Sequence, residues 1–438
     1  MNALDRRILG LAVPALGALA VEPIYGLVDT AIVGRLGRRE LGGLAVALTA
    51  LNLGVYGAGF LAMVTSQRVA FRTGAGDRAG AARSAAAAYA LAFGIGLLLA
   101  AIALLGARPL AEALGASGVT LDRAVTYLRF AAPGLPFQLC VLAGNGHRRG
   151  LADTRTPLRI LVVANVVNVV LEVVLVYGLH LGVAGSALGT TCTQVLSGTW
   201  FLIGSARLVT AAGERWRPQV DDLVDLVRSG SVIVVRTLAL LAALTMATAI
   251  AARLGDATLG GHQIATQVFF LLALALDALA VPAATFVAEA LGRADPAGAR
   301  LVAARCIRLS LLASVVTGGV TVLAAPLLPR LFSGDLDVRR SATVAVLICG
   351  LFQPLAALAF AFDGVLLGAG DFATLRRSML LALGPFAVPA ALTLWLRSPG
   401  IAGVWLALAC WLAARAGLLG WRWRSGAWLS AGLAPGRS

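Results

Sequence analysis

Two short helical patterns carry the residues best suited to holding a small cation. Glu22, Tyr25 and Asp29 stand at i, i+3 and i+7, a spacing that stacks them on one face of a helix. Asn165, Asn168 and Glu172 repeat that spacing. Each stripe ends in an acid inside an otherwise apolar run. An acid in hydrocarbon costs at least about 2.5–3.5 kcal/mol, so each requires a partner or a function. Asp29 lies six residues before Arg35 and Glu172 about ten before Gly182, which places the two at comparable depth along their helices. Two such carboxyl groups in one water-accessible pocket repel when both are charged. The chemistry expected of them is reversible proton binding, although the same oxygens with Asn168 could hold sodium. The competing reading is a satisfied polar contact between neighbouring spans.

The elements that must position these stripes follow from composition. Of 438 residues, 59% are hydrophobic and 13% charged, with a mean hydropathy of +0.87. Soluble domains carry about 25% charged residues, so the chain reads as an all-α polytopic membrane protein. All 36 basic residues are arginine, which excludes a phosphate-binding Gly-Lys-Ser/Thr loop and a Schiff-base lysine. The net charge of +15 does not indicate nucleic acid, because the arginines punctuate apolar runs as topology signals do. No cofactor or metal motif is present, and the five scattered cysteines read as small buried hydrophobes.

The chain is duplicated. A shift of 218 residues takes Arg35-Leu36-Gly37 onto Arg253-Leu254-Gly255, Leu41-Gly42-Gly43 onto Leu259-Gly260-Gly261, and Gly150, Asp153 and Thr156 onto Gly368, Asp371 and Thr374. Each half divides into six apolar runs, at 8–34, 41–71, 81–107, 122–147, 156–179 and 183–209, then 228–254, 259–290, 298–325, 338–367, 374–396 and 401–422. Twelve transmembrane helices in two pseudo-symmetric six-helix bundles are expected, at 1–209 and 223–438, joined by the polar segment 210–222. An even number of spans per half gives both copies one orientation, with a cavity between them. Arginines number 23 at the ends and even loops against 11 near the odd loops, which predicts a plasma-membrane protein with both termini cytoplasmic. The run from Ile8 is read as a retained first span.

Other polar residues are fewer. Gly74/Asp77, Gly150/Asp153, Gly292/Asp295 and Gly368/Asp371 read as tight turns, with glycine ending one helix in a left-handed conformation and aspartate capping the next. Asp277 lies about midway along the eighth span and is the best polar candidate of the second half. Asp363 and its mate Asn145 are candidates for the cavity's inner mouth, and Arg236 is expected to snorkel to the interface. Ala247 and Ala390 stand where the first half has Asp29 and Glu172, so cation coupling belongs to the first half.

The stretch Leu27-Val28-Asp29-Thr30-Ala31-Ile32-Val33-Gly34-Arg35-Leu36-Gly37 resembles the multidrug and toxic compound extrusion (MATE) transporters, in the subgroup of DNA-damage-inducible protein F. Asn165–Glu172, Ala275-Leu276-Asp277 and Phe362–Gly368 are similar too. The resemblance implies a V-shaped pair of six-helix lobes that exports bulky, often cationic, organic compounds in exchange for protons or sodium, from a single chain within the lipid bilayer. It implies coupling at Asp29, with Asn168, Glu172 and a sixth-span threonine, Thr190, in the same lobe. Glutamate at 172 departs from the aspartate common among such proteins, and Ala284 from their eighth-span glutamate or glutamine. A lipid-linked sugar or peptidoglycan-precursor flippase is the alternative. Intramembrane enzyme chemistry is disfavoured by the lack of Gly-x-Ser-x-Gly and His-Glu-x-x-His.

Overall fold

The computed structural model describes residues 2–396 and 400–431, except for the side chains of Glu22 and Ala431. Among these residues there is no strand. The apolar runs form twelve long helical segments: α1 (Ala3–Gly34), α2 (Arg38–Gly74), α3 (Arg78–Leu105), α4 (Gly118–Gly150), α5 (Arg155–Gly178), α6 (Val183–Ala211), α7 (Val220–Arg253), α8 (Asp256–Gly292), α9 (Pro296–Ala324), α10 (Leu336–Gly368), α11 (Phe372–Leu396) and α12 (Ile401–Arg424). Ten of them are individually long and apolar enough to cross a bilayer. An eleventh, α10, qualifies only as a pair of helices bent by 52° between Leu351 and Gln353. The remaining one, α6, has 29 residues and falls short in hydropathy because Ser186, Thr190, Thr191, Thr193, Gln194 and Ser197 interrupt it.

The duplication governs the helix boundaries. Adding 218 to the limits of α2 and α4 gives those of α8 and α10. The turns repeat as well, with positive φ at Gly37 and Gly255 and at Gly182 and Gly400. So do the close crossings. A Cβ on Gly146 would lie 2.5 Å from the Ala62 carbonyl oxygen, and one on its mate Gly364 2.7 Å from that of Ala280. Small residues one turn apart let helix backbones approach where no water drives association.

Each Gly-x-x-Asp aspartate caps the next helix. Asp77 accepts from the Gly80 amide at 2.7 Å, Asp295 from Gly298 at 2.8 Å, Asp153 from Thr156 at 3.0 Å and Asp371 from Thr374 at 3.3 Å. The glycine's part differs from expectation. The left-handed residue is the one directly before the aspartate: Gly76, Ala152, Ala294 and Gly370. Gly150 and Gly368 instead remove a Cβ that would strike Val69 and Ala284.

Contacts divide the chain into two compact units. One is Val13–Val234; the other combines Met1–Ala12 with Val235–Ser438. The division therefore cuts within α1 and α7 rather than in the polar segment 210–222. Within the first unit the opening turns of α7 are held to α2 and α3: Arg72 meets Asp222 at 2.7 Å, Arg83 meets it at 3.7 Å, and Arg68 donates to Ser229 at 3.1 Å. Within the second, Arg7 at the start of α1 pairs with Glu289 at 3.1 Å and lies 4.4 Å from the centre of the Phe286 ring.

The two units have different cores. The second packs Phe352, Phe386, Trp405, Trp411, Met379 and their neighbours into a continuous apolar cluster, with Phe352 stacked on Trp405. The first includes a cluster around Val33, Leu44, Tyr127 and Leu128 and a cavity.

Candidate functional site

The site is assembled in the Val13–Val234 unit from α1, α4, α5 and α6. Helix α1 runs unbroken through Pro14 and Pro23 and brings Asp29 into the interior at 2% exposure. Helix α5 is α-helical as far as Glu172 and then turns π-helical over Val173–Gly178, an irregularity frequent at functional positions. Glu172 and Asn168 are fully buried. The π turn is anchored by Tyr177, whose hydroxyl donates to the Ile32 carbonyl of α1 at 2.6 Å. Two glycines of α6 make room: a Cβ on Gly185 would lie 2.8 Å from the Leu175 carbonyl carbon, and one on Gly189 3.0 Å from Glu172 Cγ.

The two acids meet across one residue. The Ser186 hydroxyl of α6 lies 2.7 Å from Asp29 Oδ1 and 3.0 Å from Glu172 Oε1. One turn along α6, Thr190 shares a hydrogen bond of 2.8 Å with the Tyr25 hydroxyl. The buried Tyr127 hydroxyl of α4 lies near Thr190 and Ser186 without closing a hydrogen bond of its own.

A cavity of about 310 Å³ begins where Tyr25, Tyr127, Asn168 and Thr190 line its wall. Its lining also includes Asn165, Gln194, Gln138, Asn145 and Arg149 among otherwise mainly apolar side chains. Among the described residues, both polar atoms of Asn168, Gln194 Oε1, Asn145 Oδ1 and Glu172 Oε2 are buried without a hydrogen-bond partner. Such groups are ordinarily satisfied, by water where protein does not reach them. Beside the acid pair, Glu172 Oε2 and the Asn168 amide join the Ser186 hydroxyl in a set of oxygen ligands that suits a proton with water or a hard cation.

Of the residues singled out from sequence, Asp29, Glu172, Tyr25, Asn165, Asn168, Thr190 and Asn145 therefore come together at this pair or its cavity. The Glu22 side chain lies outside the described residues. Asp277 and Asp363 belong to the other unit and do not line the cavity. Asp363 is engaged by two arginines, Arg236 at 2.7 Å and Arg415. Asp277 is exposed and within electrostatic reach of Arg415. Arg236 does not snorkel: its side chain is 11% exposed and held by Asp363. Cys140, Cys306 and Cys349 are buried as expected, whereas Cys192 and Cys410 are exposed.

Sequence reasoning missed Ser186 and Tyr127. A signal for the first was available, since Ser186, Thr190, Thr193 and Ser197 follow i, i+4, i+7 and i+11 on one face of α6.

Comparison with known proteins agrees with this architecture. The MatE family model matches the chain twice, at residues 14–174 and 233–393, one copy in each half. Protein DETOXIFICATION 44, chloroplastic, of Arabidopsis thaliana is 30% identical over 98% of this chain and 84% of its own. DNA damage-inducible protein F of Escherichia coli is 29% identical over 98% and 94%. A MATE crystal structure in a bent conformation superposes with a TM-score of 0.89 at 20% identity, covering 99% of this chain and 98% of that one. A duplicated, all-helical membrane chain matched by the same model in both halves belongs to the MatE family of transporters.

Proposed function

We propose that the chain is a secondary active multidrug efflux antiporter, exporting bulky organic, often cationic, compounds in exchange for protons or sodium by alternating access. The observation that carries this reading is the buried Asp29/Glu172 pair, bridged by Ser186 and adjoining the mainly apolar, polar-studded cavity of the same unit. The cavity's volume is at the small end of the range for ligand pockets, and its apolar walls with a few convergent polar groups are typical of them. A ligand shifts a conformational equilibrium only through differential affinity for the two states. An acid pair that binds its cation in one state and releases it in the other meets that requirement. The arginine distribution supports a plasma-membrane protein with both termini cytoplasmic. Since one chain supplies both pair and cavity, a monomer suffices.

The test is ethidium efflux from proteoliposomes under separately imposed pH and sodium gradients. Asp29→Asn is expected to abolish gradient-driven efflux while the protein still inserts. Undiminished driven efflux by that variant would overturn the reading.

A further inference from the structure

Resting on the antiporter reading above, we propose that Ser186 is the positioning residue of the acid pair, holding Asp29 and Glu172 to one shared proton and so making the site select protons over sodium.

The argument is one of hydrogen counting. A serine hydroxyl carries a single hydrogen and two lone pairs. Its oxygen is 2.7 Å from one carboxyl oxygen and 3.0 Å from another, so it donates to one and must accept from the other. A carboxyl group donates only when protonated. The arrangement closes with one added proton: the protonated carboxyl of Glu172 donates to Ser186 Oγ, and Ser186 donates to Asp29 across the shorter contact. The pair then carries one negative charge. On release, the proton leaves Glu172 for water in the cavity, two carboxylates face each other, and the Ser186 hydrogen can satisfy only one of them.

The same geometry disfavours sodium. A hard cation binds through oxygen lone pairs. To bridge Asp29 Oδ1 and Glu172 Oε1 it would have to displace the hydrogen that Ser186 places between them. Ser186 is fully buried and lies one turn before Thr190, whose partner is Tyr25, so α6 is tied to α1 one turn beyond it. The ionisable groups around it are Asp29 from α1, Glu172 from α5 and Tyr127 from α4, with Tyr25 of α1 one turn along at Thr190. His147 of α4 also meets α6, but at Ser205, about five turns away. At the symmetry-related position the other unit has Val404, opposite Ala247 and Ala390. The hydroxyl is present where the acids are and absent where they are absent.

The experiment compares wild type, Ser186→Ala, Ser186→Thr and Asp29→Asn as full-length protein. Binding of radioactive sodium to purified protein is measured from acid to alkaline pH, and ethidium efflux from proteoliposomes is measured as a function of pH. Wild type and Ser186→Thr are expected to bind no sodium beyond the Asp29→Asn background. Ser186→Ala should gain Asp29-dependent sodium binding and move the midpoint of its pH profile by about one unit, a tenfold change in proton affinity. Asp29-dependent sodium binding by wild type, or a Ser186→Ala protein matching wild type in both measurements, overturns the proposal. If Asp29→Asn retains driven efflux, the antiporter reading fails instead, whatever the serine variants do.

Discussion

Glu172 is longer by one methylene than the aspartate the resemblance leads one to expect, and the structure shows where that methylene goes. Gly189 on α6 leaves the space, since a Cβ there would come within 3.0 Å of Glu172 Cγ. Gly189→Ala is therefore expected to displace the carboxyl group by a few tenths of an ångström and lower gradient-driven efflux about tenfold, given how steeply function falls with misplacement. Adding Glu172→Asp should restore much of the loss, because the shorter acid vacates the crowded space. Efflux rates for the two single variants and the double variant test the coupling between the positions; equal losses in Gly189→Ala and the double variant would contradict it. At this scale the sequence disclosed the acids and their stripes through periodicity alone. The polar face of α6 marked Ser186 as a candidate but not as their bridge, because a serine in a membrane helix usually bonds its own backbone, as Ser197 does to the Thr193 carbonyl at 2.8 Å.

Helix lengths and turns were largely legible, because hydropathy and the 218-residue repeat both report on them. The irregular pieces were not. The π turn after Glu172 lies where Gly185 of α6 lets the two backbones approach at Leu175 and Val176, a tertiary contact without a local sequence mark. The four aspartate-capped turns offer a test of the local physics. Gly76 and Ala294 are symmetry mates, as are Ala152 and Gly370, and all four have positive φ. A non-glycine residue there costs about 1–2 kcal/mol, while glycine loses about 0.5–1 kcal/mol more backbone entropy than alanine on folding. The balance favours glycine by about 0.5–1 kcal/mol. Ala152→Gly and Ala294→Gly should each raise the thermal unfolding temperature in detergent, and Gly76→Ala should lower it. The opposite order would mean that the repeated turns are not energetically equivalent.

At the level of the whole chain, duplication makes each half a control for the other. The cavity-facing residues Asn168, Thr190, Thr193 and Ser197 have as mates Phe386, Leu408, Trp411 and Arg415, three of which belong to the packed apolar cluster of the other unit. Where Ala18, Asn145 and Ser197 line the cavity, their mates Arg236, Asp363 and Arg415 are joined by ion pairs, with side-chain exposures of 11%, 14% and 3%. One half keeps an open, polar-studded space and the other fills it with aromatic rings and paired charges. If that filling is structural, removing one member of the ion-paired group leaves buried charge uncompensated, at a cost of about 3–5 kcal/mol, whereas replacing the whole group by apolar residues of similar size is close to neutral. Asp363→Asn is expected to lower the unfolding temperature markedly. The triple variant Arg236→Met/Asp363→Leu/Arg415→Met should recover most of it, and the ratio of gradient-driven to undriven ethidium efflux should stay near wild type. A well-folded triple variant that has lost gradient dependence would place a coupling role in this half as well, and the division of labour inferred from the mates would fail.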